Sequence, residues 1–164
     1  MLYASYLLLI IGIVGLDQIS KYVVITHINL GQKIEIIDNF FNVTYVRNYG
    51  AGFSILQNQT YFFYVIGVAA IILFSYYLLS DKSNNLNKAC YLMIIGGTIG
   101  NLIDRVVNTY VVDFLDFYIF GYDFPVFNIA DCFLTIGCFL LVIILLIEEK
   151  HAKNWNNCWW RKHW

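Results

Sequence analysis

The chain has 164 residues, of which 60% are hydrophobic and only 13% charged, and its formal net charge is −1. The apolar residues fall in long runs instead of an alternating or helical pattern, which is typical of an integral membrane protein and excludes a water-soluble domain. A charge this close to zero gives no indication of a nucleic-acid partner.

Four segments are long and apolar enough to be considered membrane spans. In chain order they are residues 2–25, 61–79, 89–103 and 126–147. Helices are expected because backbone polar groups in lipid must be satisfied within their own segment. The chain is therefore predicted to be a single membrane domain covering residues 1–164. Its remaining parts are external segments 26–60 and 104–125 and a tail at 148–164.

Basic residues are distributed unevenly between the two sides of these spans. With four spans, both termini and the loop at 81–88 share one side, which holds Lys82, Lys88, Lys150, Lys153, Arg161 and Lys162. The other side holds Lys33, Arg47 and Arg105. Because short cytoplasmic segments carry an excess of Lys and Arg, both termini are predicted to be cytoplasmic.

The external segments are patterned like short β-strands. In the first, Phe41, Val43 and Tyr45 are predicted to share one strand face, and the opposite face carries Asn42, Thr44 and Val46. In the second, residues 110–120 are rich in Val, Tyr and Phe. The predicted fold is thus an α-helical integral membrane protein with four transmembrane helices and a small extracytoplasmic β-sheet platform, which could hold an extended peptide beside the spans.

Polar residues and glycines near the span ends carry further information. Asp17 and Lys21 are four residues apart on the first helix and can pair on one face. A buried pair that orients this helix and a direct functional role are both open. On the third helix, Gly96 and Gly100 have the small-x-x-x-small spacing that lets another helix approach closely.

An amide, a carboxylate and a guanidinium cluster at the outer end of the third helix. Asn101 lies one helical turn from Asp104 and Arg105. A snorkelling Arg105 with Asp104 as its partner explains two of these residues without invoking function. That interpretation leaves Asn101 unexplained.

The strongest candidates for chemistry are Asp113 and Asp131, because a carboxylate beside lipid is expensive. Asn128 and Asp131 share a face at the start of the fourth helix, where they could simply serve as an N-cap and a first-turn acid. The turn at Gly121 can fold the preceding strand back to bring Asp113 against Asp131. Two carboxylates that meet in a poorly hydrated site have their pKa values pushed apart, leaving one acid and one base near neutral pH.

Such a pair suits hydrolysis of a carbonyl compound by an activated water. One carboxylate removes a proton from water and the other donates to the carbonyl oxygen, which typically contributes about 10²–10⁴-fold. No serine or cysteine has a paired histidine to activate it. The four cysteines form no C-x-x-C pair and the three histidines are far apart, so neither a metal site nor a cofactor is predicted.

Five sequence boxes, in order, resemble those of the bacterial lipoprotein signal peptidases, also called signal peptidase II. They are D-x-x-x-K at residues 17–21, R-N-x-G-A-x-F at 47–53, G-G-x-x-G-N-x-x-D-R at 96–105, V-D-F at 112–114 and F-N-x-A-D at 127–131. One box alone would be weak evidence. Five in register, with the expected spans, are highly specific.

The resemblance implies an aspartic endopeptidase of the bacterial cytoplasmic membrane. Its substrates would be prolipoproteins carrying a diacylglyceryl-modified cysteine, cut on the N-terminal side of that cysteine, with membrane lipids as further partners. Asp113 and Asp131 would form the catalytic dyad on the extracytoplasmic face. The residues expected to bind substrate or support the site are Asp17, Lys21, Asn48, Gly50, Ala51, Asn101, Asp104, Arg105 and Asn128.

Two other functions remain open from the residues alone. Intramembrane carboxylates would also suit a small transporter or a proton-conducting protein, although the chain shows no inverted repeat. A non-enzymatic assembly factor is the second alternative. The Trp-rich tail after Lys150 matches no box and could be an interfacial anchor or disordered.

Overall fold

The computed structural model describes residues 2–50, 56–57, 59–80 and 85–161, and the side chains of those between 3 and 150. Four helices account for most of this part of the chain. They are α1 (Leu2–His27), α2 (Thr60–Ser80), α3 (Asn85–Asn108) and α4 (Ile129–Arg161). Each is long and apolar enough to cross a membrane. The predicted four-span architecture is confirmed.

The third and fourth helices have different limits from those predicted. Helix α3 begins four residues before and ends five residues after the predicted 89–103, because polar residues at its ends, such as Asn87 and Asp104, are buried against protein. Helix α4 starts at Ile129 instead of residue 126, and it continues to Arg161, into the tail. Hydropathy therefore locates the apolar centre of a helix better than its ends.

Helix α3 is the central helix of the bundle. In the most apolar 18-residue window of α3, 56% of the residues are buried, whereas in that of α2 only 11% are buried. The glycines on α3 explain why its neighbours approach so closely. A Cβ on Gly96 would lie 2.8 Å from the side chain of Ile13 on α1, and a Cβ on Gly97 would lie 2.5 Å from the Ala130 carbonyl oxygen on α4. The glycine pattern thus packs two helices against α3.

The external segments form a four-stranded antiparallel sheet. Its strands are β1 (Lys33–Ile37), β2 (Phe41–Asn48), β3 (Val111–Ile119) and β4 (Tyr122–Asp123), in that spatial order. The end of α1 packs against one part of the sheet through a cluster that includes Val24, Tyr45 and Phe114. The predicted sheet is confirmed.

The predicted alternation along β2 is wrong beyond Thr44. Val43 pairs with Leu115 but Val46 pairs with Asp113, so β2 contains one extra residue there. A one-residue shift reverses the faces of everything that follows. Tyr45 consequently leaves the face of Val43, and Asn48 shares a face with Asp113. An unbulged strand would have turned Asn48 away from that carboxylate.

Candidate active site

Strand β3 and the first turn of α4 bring Asp113 and Asp131 to one end of a large cavity. The cavity has a volume of about 800 Å³ and both aspartates line it. Beyond them, its wall is mainly apolar, with Ile66, Phe74 and Ile94 among its residues. Helices α2 and α4 each pack on α3, so α3 forms the floor between them.

Asn128 connects the two carboxylates, through its side chain to Asp113 and through its backbone N–H to Asp131. Its Nδ2 donates to Oδ1 of Asp113 at 2.7 Å, and its Oδ1 accepts from the backbone N–H of Asp131 at 3.0 Å. The backbone N–H of Asn128 in turn donates to Oδ2 of Asp131 at 3.2 Å. This reciprocal pair is the N-terminal cap of α4, with Asp131 at its third position. Asn128 therefore caps α4 and also donates a hydrogen bond to Asp113.

Two further amides complete the contacts of the aspartates. Asn48 Nδ2 donates to Oδ2 of Asp113 at 2.9 Å, and Asn101 Nδ2 donates to Oδ1 of Asp131 at 2.7 Å. The Gly50 backbone N–H donates to Asn48 Oδ1 at 2.9 Å, which fixes that amide's orientation. Each carboxylate oxygen of the pair thus accepts a hydrogen bond, although no cationic side chain touches either one within the described residues.

Lys21 is a buried cation beside the site and is 2% exposed. Its Nζ lies 2.8 Å from Asp17 and 3.0 Å from Asp104, and it donates to Oδ1 of Asn101 at 3.0 Å. Because Lys21 occupies the oxygen of that amide, the Asn101 NH₂ group faces Asp131. Asp17 and Lys21 therefore form a buried ion pair, and Lys21 orients the amide that contacts Asp131.

Asp17 and Asp104 also hold backbone in place around the site. Asp17 Oδ1 accepts from the Ala130 N–H at 2.8 Å, and Asp104 Oδ2 accepts from the Val112 N–H at 3.0 Å. The first contact fixes the start of α4, and the second fixes β3 next to Asp113. Both carboxylates thus position the elements that carry the pair.

The expected partnership of Asp104 with Arg105 is replaced by the Asp104–Lys21 ion pair. Arg105 instead donates to the backbone carbonyl oxygens of Asn101 and Gly50, at 3.3 and 3.1 Å. Its guanidinium lies 4.7 Å from the centre of the Phe63 ring. Arg105 therefore ties α3 to the end of β2 and to the start of α2. Ala51, the other residue expected in that segment, lies outside the described residues.

Gln18 is a contact residue that sequence reasoning missed. Its Nε2 lies within hydrogen-bonding distance of Asp17 Oδ2, Asp104 Oδ1 and the Gly100 carbonyl oxygen, at 3.0–3.1 Å. The available signal was its position directly after Asp17, but an amide one residue from a box position has no distinctive spacing. Gln18 joins α1 to α3 beside the Lys21 cluster.

Burial raises the pKa of the Asp113 carboxyl to about 7, and the negative charge of Asp131 contributes next. The amides of Asn48 and Asn128 act in the opposite direction, since they stabilise the charged form. At neutral pH, Asp113 is thus divided between its acid and its ionised form. Within the described residues, no three His, Cys, Asp or Glu side chains lie close enough together to hold a metal ion.

Comparisons with known proteins point to one family. A family model described as signal peptidase (SPase) II matches residues 9–147. The lipoprotein signal peptidase of Staphylococcus haemolyticus (strain JCSC1435) is 43% identical over 149 residues, covering 90% of this chain and 94% of the relative. That of Staphylococcus aureus (strain bovine RF122 / ET3-1) is 40% identical, covering 90% and 91%.

Solved structures agree with this match. A bacterial membrane enzyme determined by the in meso method at 2.3 Å resolution superposes with a TM-score of 0.85 at 39% identity, covering 90% of this chain and 91% of that one. A second, at 1.9 Å resolution, gives a TM-score of 0.79 at 40% identity, covering 87% and 93%. The chain belongs to the signal peptidase II family.

Proposed function

We propose that this protein is an aspartic endopeptidase that removes the signal peptide from diacylglyceryl-modified prolipoproteins, cutting on the N-terminal side of the lipidated cysteine. Membership of the signal peptidase II family supports a peptidase that acts on lipoprotein precursors. The aspartic mechanism is supported by the contacts of Asp113 and Asp131. The observation that carries it is Asn128, which hydrogen-bonds to both carboxylates at once.

Asp131 acts as the general base and Asp113 as the general acid. Ionised Asp131 removes a proton from a water molecule, whose oxygen attacks the scissile carbonyl carbon. Protonated Asp113, whose pKa is about 7, gives its proton to the carbonyl oxygen. Collapse of the tetrahedral intermediate breaks the carbon–nitrogen bond, and the amine leaves with the proton that Asp131 had accepted. Asp113 recovers its proton from the hydroxyl group of the intermediate.

The cavity supports an approach of the substrate from the side of the bundle. An apolar wall between α2 and α4 suits a signal peptide and the acyl chains of the cysteine that follows it, while the polar end presents the dyad to the substrate backbone. Asn48, Asn101 and Asn128 hold the carboxylates for this reaction, and Gly50, which has no side chain, keeps the approach open. We place the protein in the bacterial cytoplasmic membrane, with both termini cytoplasmic and the dyad toward the extracytoplasmic face.

The test is cleavage of a lipid-modified precursor by Asp113→Asn and Asp131→Asn proteins in nanodiscs. Both variants should fold and should lose at least about 10²-fold in kcat/KM, since each removes one proton-transfer group. Asp116→Asn is the matched control, because Asp116 lies on β3, is 1% exposed and is on the strand face opposite to Asp113. Normal processing by a folded Asp113→Asn protein would refute the mechanism.

A further inference from the structure

The hairpin between β3 and β4 ends in an aromatic side chain that the described part of the protein does not cover. Its turn consists of Phe120 and Gly121, whose φ angles are 51° and 81°. Positive φ at both positions defines a type I′ turn, which favours Asn, Asp or Gly at the first position. Phe120 occupies that position and is 107% exposed. A bulky residue is therefore held in an unfavourable backbone conformation without packing against the protein.

The turn between β1 and β2 has a residue of the favoured type in the same left-handed backbone conformation. Between β1 and β2, Asn39 also has a left-handed φ, of 55°. The two turns are at the same end of the sheet, because the Tyr118 N–H donates to the Phe40 carbonyl oxygen at 2.8 Å. One turn thus carries the residue type that suits left-handed backbone, and the other carries phenylalanine.

The hairpin carries further exposed apolar side chains beside Phe120, although Gly121 lines a shallow pocket with Lys33, Glu35 and Asn39. Ile119, Tyr122 and Phe124 are each more than a third exposed. The hairpin is also close to the spans along the chain: Phe124 lines the large cavity and α4 begins at Ile129. Along the chain, the tip is therefore followed within a few residues by the cavity lining and then by α4.

We infer that the β3–β4 tip inserts Phe120 into the lipid leaflet beside the sheet and anchors the strand that carries Asp113. A shaped ligand would need a concave site, whereas Phe120 projects with its whole side chain exposed. A fluid apolar surface accepts such a projection, and aromatic side chains favour the boundary between lipid and water. Anchoring β3 at its far end limits its tilt relative to α4.

The first experiment identifies what contacts the tip. Full-length Phe120→p-benzoylphenylalanine and Asn39→p-benzoylphenylalanine proteins are placed in phospholipid nanodiscs and irradiated, with and without lipid-modified precursor. Mass spectrometry should find phospholipid adducts at position 120 at several times the yield at position 39. Equal phospholipid yields at the two turns would overturn the inference. Crosslinks from position 120 to the precursor, with no phospholipid adduct, would also overturn it.

The second experiment uses Phe120→Asn, which places a favourable residue in the turn. If Phe120 anchors the hairpin, amide hydrogen exchange of residues 118–124 in nanodiscs should become several-fold faster in this variant. If Phe120 serves only the turn, the better turn residue should slow that exchange or leave it unchanged, and the anchor would be refuted. Exchange in α3 should not change in either case.

Discussion

Gly97→Ala should separate the start of α4 from α3 and thereby disable the site. The added Cβ would lie 2.5 Å from the Ala130 carbonyl oxygen and 3.1 Å from the Leu134 backbone nitrogen. Non-bonded heavy atoms prefer about 3.5 Å or more, so α4 must move by about 1 Å. That movement stretches the 2.7 Å hydrogen bond from Asn101 to Asp131 beyond the usual limit of about 3.2 Å.

Two measurements on the Gly97→Ala protein test this reasoning. Overpacking of this kind costs about 1–3 kcal/mol of stability, which denaturant titration in mild detergent can detect. A 1 Å displacement of a catalytic group costs about 10²-fold in rate, so kcat/KM for the lipid-modified precursor should fall by about that factor in nanodiscs.

Gly137→Ala is the matched control for this prediction, because it adds a close contact between the same two helices, α3 and α4, at a position away from the site. Its Cβ would meet Ile94, Cys90 and Met93 at 3.0–3.1 Å, about two helical turns from Asp131. It should cost some stability and leave kcat/KM within a few-fold of wild type. Wild-type kcat/KM in Gly97→Ala, or an equal loss in Gly137→Ala, would contradict the proposed geometry.

Two further predictions follow from charges at the site. If Asp113 is the acid, with a pKa of about 7, kcat/KM should fall with rising pH above 7 and approach tenfold per unit; a flat profile to pH 9 would exclude that role. Its folded pKa exceeds the unfolded value of about 3.9, so its contribution to stability should decrease between about pH 4 and 7 as pH rises. Lys21→Met should destabilise the fold by about 3–5 kcal/mol, because Asp17 and Asp104 would remain buried without their cation. An unchanged unfolding midpoint for Lys21→Met would show that this ion pair is dispensable.

The helices and the sheet could be predicted because each rests on a local pattern. Apolar runs identify spans, since lipid accepts few charged side chains, and β-rich external segments identify strands. The ends of α3 were missed because the burial of Asn87 and Asp104 depends on which helices surround them. The bulge in β2 was missed for a related reason. The residue types between Val43 and Val46 do not show which residue of β3 each one will pair with.

The candidate site was predictable as a set of residues but not as a network. Spacing on one helix correctly paired Asp17 with Lys21, because residues four apart are neighbours. The snorkelling interpretation made Asp104 the partner of Arg105, yet Lys21 from another helix pairs with Asp104. Contacts between helices depend on rotation and depth, which hydropathy does not determine. The catalytic roles of Asp113 and Asp131 stay predictions until their variants are measured.

The carboxylate of Asp131 takes part both in the proposed reaction and in the N-terminal cap of the membrane helix α4. Asp131 Oδ2 accepts the Asn128 N–H, so the side chain cannot swing toward a substrate without exposing the helix terminus. The proposed base is thereby restricted to small displacements, and its Oδ1, which accepts from Asn101, is the oxygen better placed to exchange its partner for water. A compound that engaged Asp131 through both oxygens would have to compete with the Asn128 N–H at Oδ2 and with the Asn101 amide at Oδ1.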